Sequence, residues 1–275
     1  MKPYAKPKPF VLASDLDGTL IPLTGDQQNK ADLQLITSRL KNCQTELVFV
    51  TGRHLASVLN AVEEFSLPEP DWIICDVGTS IYQRDEKMNW SLTEGYAEEL
   101  RSRLGLDSIH NLRVEFENIA GLRLQEEAKQ GQFKLSYYAD AKELESKRNE
   151  VFEALSRIGS PSEIISSVDP FNGDGLLDIL PPAASKADAL TWLSRFRNLD
   201  YESIVFAGDS GNDFHAMIAG FKTIVVGNAA QSLTTEVEMV HRTLGWNDRL
   251  YLSAKTATSG VLEGCRFFGL FDDEN

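Results

Sequence analysis

Five short apolar runs, each unbroken and each followed by a turn rich in Gly, Asp or Asn, constrain the fold of this chain more than any other feature. They are Phe10-Val11-Leu12-Ala13-Ser14, Leu47-Val48-Phe49-Val50, Trp72-Ile73-Ile74-Cys75, Ser203-Ile204-Val205-Phe206-Ala207 and Thr223-Ile224-Val225-Val226. A strand with one solvated face alternates apolar and polar residues, whereas an unbroken run is the mark of a strand covered on both faces, as in a parallel sheet. Between the runs, apolar residues recur three and four apart at Leu33, Ile36 and Leu40, at Leu55, Val58, Leu59 and Val62, and at Leu190, Leu193 and Phe196. That is the spacing of one buried helix face. Strand and helix patterns in alternation predict an α/β fold, a parallel sheet with helices on both faces.

The alternation stops between Trp90 and Pro181, where the order becomes helix, paired strands, helix, paired strands. At 275 residues the chain is long for one small core and short for two full domains. The expected organisation is a discontinuous core, residues 1–89 and 182–275, with an inserted α+β cap at 90–181. Within the cap, Phe133 to Tyr138 reads as a strand with Lys134, Ser136 and Tyr138 on one face. Ala141 to Ile158 reads as a surface helix. Asn172-Gly173-Asp174-Gly175 carries a hairpin signal before the strand Leu176 to Leu180.

Lys and Arg number 27 against 41 Asp and Glu, a formal charge of -14. Such a surface repels nucleic acid phosphates and anionic lipid, which leaves a small ligand or a metal ion as the expected partner. Cys43, Cys75 and Cys265 are too far apart for a disulfide framework or a zinc cluster, and a reducing, cytoplasmic location is expected. The apolar run Phe10 to Ala13 is too short for a signal peptide or a membrane span. The four histidines have no metal-ligand spacing, and Trp72 and Trp192 fall in apolar patterns that predict core positions.

The chemistry-bearing residues lie just past the apolar runs. Ser14-Asp15-Leu16-Asp17-Gly18-Thr19-Leu20 sets two carboxylates at the end of the first strand, where open α/β sheets bind their ligands. Gly208-Asp209-Ser210-Gly211-Asn212-Asp213 sets two more at the end of the fourth. Acidic clusters at neighbouring strand ends repel each other unless a hard cation with oxygen ligands, Mg2+ above all, lies between them. Thr51-Gly52-Arg53 offers a hydroxyl and main-chain N–H groups to an anionic oxygen at a helix start. Lys186 adds a positive charge. Carboxylates, a metal site, a hydroxyl and a lysine together fit phosphoryl transfer, where a compact, highly charged group must be neutralised and attacked in line.

In this order the four segments resemble the motifs of the haloacid dehalogenase (HAD) superfamily of phosphohydrolases, and the inserted block resembles its larger, C2-type cap. Asp76-Val77-Gly78-Thr79-Ser80-Ile81-Tyr82, Lys134-Leu135-Ser136-Tyr137, Asp178-Ile179-Leu180-Pro181 and Thr258-Ser259-Gly260-Val261-Leu262-Glu263 are similar to segments of the sucrose-6-phosphate phosphatase family. Ser80 stands where that family usually has an acid, and Ala187 where a Gly is common.

The resemblance implies a HAD-like Rossmannoid core and a Mg2+-dependent sugar-phosphate phosphatase. Asp15 would attack phosphorus, and Asp17 would protonate the leaving oxygen and then activate water. Asp15, the main-chain carbonyl of Asp17, and Asp209 would hold Mg2+, with Asp213 or Asn212 orienting the shell. Thr51 and Lys186 would bind the transferring oxygens, Gly52 and Asn212 would contribute to substrate binding, and Lys134 would reach the substrate from the cap. Arg53 has no assigned role. The expected partner is a sugar phosphate, with neither nucleic acid nor membrane, and the chain would act as a monomer or beside a sugar-phosphate synthase. A sugar phosphomutase and a non-catalytic sugar-phosphate-binding module are the alternative readings.

Overall fold

The structure, a computed structural model, describes residues 10–105, 108–168 and 173–271. Its strands are β1 (Val11–Ser14), β2 (Glu46–Val50), β3 (Trp72–Cys75), β4 (Ser80–Arg84), β5 (Trp90–Leu92), β6 (Arg123–Leu124), β7 (Leu135–Ala139), β8 (Glu163–Val168), β9 (Gly175–Leu180), β10 (Ile204–Gly208), β11 (Lys222–Val225) and β12 (Leu250–Leu252). Eight of them form one sheet in the order β12-β11-β10-β1-β2-β3-β4-β5, and four form a second in the order β6-β7-β9-β8.

The five apolar runs are β1, β2, β3, β10 and β11, and they pair in parallel. Their residues alternate between two cores, as a two-residue side-chain period requires. Leu12, Leu47 and Phe49 face the helices Gln27–Cys43, Leu55–Phe65 and Ala257–Phe267 through Ile36, Val58 and Val261. Val11, Ala13, Val48 and Val50 face the opposite way, toward Tyr96 and Leu100 of the helix Glu94–Leu104 and Leu190 and Leu193 of the helix Lys186–Phe196. That second core continues into the smaller sheet through Leu135, Tyr137, Leu177 and Ile179, so the two sheets share buried apolar surface. Trp72 and Trp192 are buried, as their patterns predict.

The chain leaves β1 for β2 on one side and returns as β10 on the other. This reversal opens a crevice at the C-terminal ends of β1 and β10, the place where open α/β sheets bind ligands.

Three features differ from the sequence pattern. The parallel strands are extended by an antiparallel β3-β4-β5 meander, so residues 90–92, expected in the insertion, pair with β4 in the larger sheet. These strands are short and half-exposed, which leaves no unbroken apolar run to read. The edge strand β12 escapes notice for the same reason. β7 begins at Leu135, and Lys134 precedes it in a tight turn where Gly131 and Lys134 exchange main-chain hydrogen bonds of 3.0 and 3.1 Å. The hairpin expected at 172–175 falls partly outside the described residues, with Asn172, as does the Pro-rich start of the chain. No helix among the described residues is long and apolar enough to cross a membrane.

Candidate active site

Asp15 sits one residue past β1, its N–H continuing the ladder to Ala207 O at 2.9 Å. The chain then turns sharply through Gly18, which has φ 75. A Cβ at Gly18 would lie 2.5 Å from Asp209 Oδ2, so the turn at β1 and the acid after β10 touch through a position that only glycine fills. Thr19 Oγ1 donates to Asp209 Oδ1 at 2.9 Å. Asn228, just past β11, donates to Gly18 O at 2.8 Å and to Asp209 Oδ2 at 3.2 Å, while its own oxygen accepts the N–H of Ala257 at 2.8 Å. Thr258 Oγ1 then donates to Leu20 O, so the start of the last long helix braces the β1 turn from behind.

Lys186 opens the helix Lys186–Phe196 and is 1% exposed. Its ammonium donates to Asp15 Oδ1 at 2.7 Å, Asp213 Oδ1 at 2.7 Å and Asn212 Oδ1 at 3.0 Å, which uses all three of its hydrogens. Asp213 is fully buried, and its second oxygen accepts from the N–H groups of Asp209 and Ser210 and from Ser210 Oγ. Asp15, Asp209 and Asp213 each present an oxygen within 4.8 Å of the others.

Burial pushes the Asp15 carboxyl well above the usual range, with Asp213 and Asp209 adding to the rise and Lys186 opposing it. Burial, with Asp213 as the second cause, pushes Asp209 up to about 6, against the hydrogen bond from Thr19. Lys186 is held above its ordinary value because attraction to Asp15 and Asp213 outweighs its own desolvation. Three carboxylates against one ammonium leave an excess of negative charge in a buried, all-oxygen setting. That donor set suits a hard divalent cation.

The Asp17 carboxylate lies outside this group. Arg53 Nε and Nη2 donate to its two oxygens at 2.7 and 2.6 Å, a bidentate pair with both side chains partly exposed. This leaves the main-chain carbonyl as the route by which Asp17 would meet an ion. Thr51 is buried at the end of β2, where its Oγ1 accepts the N–H of Arg53 at 3.2 Å. Among the described residues Thr51 makes no hydrogen bond to the carboxylate group. A side chain at Gly52 would meet only Val77, at 3.9 Å, so packing does not demand glycine there. Asn212 turns its amide oxygen to Lys186 and accepts from Ser210 Oγ at 2.9 Å. Lys134 lies apart from the acidic group and pairs with Asp76 Oδ1 at 3.2 Å.

The sequence thus locates Asp15, Asp209, Asp213, Lys186 and Asn212 in one cluster, with Asp17 and Thr51 beside it and Lys134 elsewhere. It leaves out Thr19 and Asn228 and gives Arg53 no part. Asn228 carried a readable signal, since Gly227-Asn228 follows an apolar run just as the acidic loops do.

Residues 8–269 match the model of the sucrose-6F-phosphate phosphohydrolase family. The chain belongs to that family. Its members are hydrolases of phosphoric monoesters within the HAD superfamily, and the α/β core with its added smaller sheet is the HAD-like fold. A HAD-like hydrolase of Nitrosococcus oceani is 38% identical over 229 residues, which span 82% of this chain and 61% of that longer protein. A mannosylfructose-phosphate phosphatase of Agrobacterium fabrum is 32% identical over 266 residues, 94% of this chain and 97% of that one. The structure of the sucrose-phosphatase of Synechocystis, in complex with sucrose and phosphate, superposes with a TM-score of 0.75 at 23% identity, covering 95% of this chain and 98% of that one. At that identity the likeness speaks for the fold.

Proposed function

We propose that this chain is a Mg2+-dependent phosphatase that hydrolyses a sugar-phosphate monoester, sucrose 6-phosphate or a related glycoside phosphate, through an aspartyl-phosphate at Asp15. The observation that carries the reading is the buried Lys186 ammonium bound at once to Asp15 and Asp213, with Asp209 in the same carboxylate group. The lysine fixes Oδ1 of Asp15 and so orients the carboxylate for in-line attack by its other oxygen. A fixed positive charge there also meets the negative charge on the transferring phosphoryl oxygens.

Asp15, the carbonyl of Asp17, and Asp209 would hold the cation. Asp213, whose two oxygens already accept several hydrogen bonds, orients that set. Bound Mg2+ would neutralise phosphoryl oxygens and carboxylates together. In the first step the Asp15 oxygen bonds to phosphorus as the bond to the sugar oxygen breaks, and that oxygen takes a proton from Asp17. In the second, Asp17 removes a proton from water, which attacks phosphorus and returns Asp15 as a carboxylate with free phosphate. For Asp17 to carry a proton, the Arg53 fork must release one carboxylate oxygen. Thr51, through its hydroxyl, and Gly52, through its main-chain N–H, would meet the remaining phosphoryl oxygens.

Such a substrate is made by an enzyme that joins two sugar units with the phosphate already attached, and association with a synthase of that class is part of the proposal. So is a cytoplasmic location, which the three free cysteines support. The test is release of inorganic phosphate from sucrose 6-phosphate and mannosylfructose phosphate with Mg2+, beside the Asp15→Asn variant. Release by the native chain and none by the folded variant is expected. Isomerised sugar phosphate without free phosphate would make the chain a mutase, and binding without turnover would make it a binding module.

A further inference from the structure

Gly78 and Tyr96 lie outside the carboxylate group, yet both bear on the backbone that carries Lys186. Gly78 lies in the turn after β3 with φ 98, and a Cβ there would fall 2.2 Å from the carbonyl carbon and oxygen of Ser185 and 2.6 Å from Lys186 N. Glycine is required twice over, by the left-handed backbone and by the lack of any gap between the two main chains. One residue earlier in the same turn, Val77 N–H donates to Thr51 O at 3.2 Å. The turn therefore spans from the loop after β2 to the start of the helix Lys186–Phe196.

Tyr96 fixes that turn. It is 1% exposed on the helix Glu94–Leu104, and its hydroxyl donates to Gly78 O at 2.7 Å. Burial pushes the phenol up, with Asp188 adding to the rise, so the hydroxyl keeps its proton and remains a donor. The ring packs on Trp192, on the helix that Lys186 opens, with centroids 5.3 Å apart. Arg103, further along the helix of Tyr96, donates to the carbonyl of Ala183, which has φ 51. One helix thus reaches the segment 183–192 before Lys186, at Lys186 through Gly78, and after it.

Lys186 needs such a seat. Its ammonium, at the end of a long and flexible stem, must meet Asp15, Asp213 and Asn212 at once. Those partners hold the far end of the side chain and leave its backbone to be fixed by other contacts. A misplacement of about 1 Å in a positioned group can cost on the order of a hundredfold in rate.

We propose that Tyr96 is a positioning residue for Lys186, its hydroxyl holding the Gly78 peptide against the Ser185 and Lys186 backbone and so setting the ammonium between Asp15 and Asp213. The inference rests on the phosphatase reading above for the task of Lys186 and adds the group that seats it. Tyr96 itself touches neither the carboxylates nor the reacting atoms.

The test is Tyr96→Phe, which removes the hydroxyl and keeps the ring against Trp192. Two readouts are taken. One is steady-state phosphate release from sucrose 6-phosphate and from para-nitrophenyl phosphate with Mg2+. The other is the side-chain ammonium signal of Lys186 in NMR spectra of the lysine-labelled, metal-free chain, assigned by its absence from Lys186→Arg. A fall in kcat of about tenfold or more is expected, equal for the two esters because Lys186 serves the phosphoryl group and not the leaving oxygen. The ammonium hydrogens should exchange with water about tenfold or more faster. Leu104→Ala, a buried truncation on the same helix away from Gly78, should lower the melting temperature yet leave both readouts within about twofold. An ammonium signal unmoved in Tyr96→Phe, or kcat near that of the native chain, overturns the proposal. So does an equal change in Leu104→Ala, which would make the effect a general loosening of the fold. Absence of turnover in the native chain would count against the phosphatase reading alone, and the ammonium signal would still decide whether Tyr96 seats Lys186.

Discussion

Lys186 and Asp15 are 171 positions apart in the chain and meet at 2.7 Å, both buried, at the C-terminal edge of the larger sheet. The same ammonium holds Asp213 at 2.7 Å. Removing it strands carboxylates in a low-dielectric site, and breaking a buried pair in this way costs about 3–5 kcal/mol. Lys186→Met should therefore lower the unfolding free energy by that amount, measured by urea denaturation without metal. It should also abolish phosphate release. A variant as stable as the native chain would show that Lys186 does not balance this charge.

The raised Asp209 carboxyl gives the metal-free protein a pH dependence of definite sign. In the folded state the group holds its proton up to about 6, whereas in the unfolded chain it loses it at the ordinary carboxylate value. Between those limits the folded state binds more protons, so the stability this group contributes is full at the acid end and is lost as pH rises toward 6. Denaturation in chelator should show that decline, and Asp209→Asn should flatten it. Added Mg2+ should reverse it by favouring the ionised group.

Gly18→Ala sets a side chain at φ 75 and 2.5 Å from Asp209 Oδ2. The carboxylate must move, and the backbone strain alone costs on the order of 1–3 kcal/mol. Mg2+ affinity, read from the metal-induced shift in melting temperature, should fall sharply. An unchanged shift would place the cation away from Asp209.

What could be read in the sequence, and what could not, follows from the reach of each interaction. β1, β2, β3, β10 and β11 were legible because strands covered on both faces must be apolar throughout. The acidic loops were legible because they lie immediately past those strands, so knowing the strand places the carboxylate. β4, β5 and β12 are short and partly exposed, and their identity comes from the neighbour they pair with. The Arg53 to Asp17 fork was illegible for a different reason. Where a long side chain ends is decided by the packing of the β1 and β2 loops, and no spacing in the chain records it. The two-residue period puts Lys134 in the strand, since it does not detect the turn closed by Gly131.

Arg53 should behave as a residue that positions Asp17. Arg53→Met removes both hydrogen bonds to its carboxylate, and Arg53→Lys cannot restore the bidentate pair. Steady-state kinetics should show a fall in kcat of about tenfold or more for a sugar ester, whose leaving oxygen needs a proton. The fall should be smaller for para-nitrophenyl phosphate, whose leaving group does not. Equal losses for the two esters would separate Arg53 from proton transfer.

The transfer of the phosphoryl group to Asp15 is tested most directly by trapping it. The chain is mixed with sugar phosphate and Mg2+, quenched in acid within a turnover, digested, and its peptides weighed. The phosphoryl group is expected on the peptide that contains Asp15, and absent from it in Asp15→Asn. Phosphate release by the native chain with no phosphorylated peptide, or with the group on another residue, would contradict the assignment.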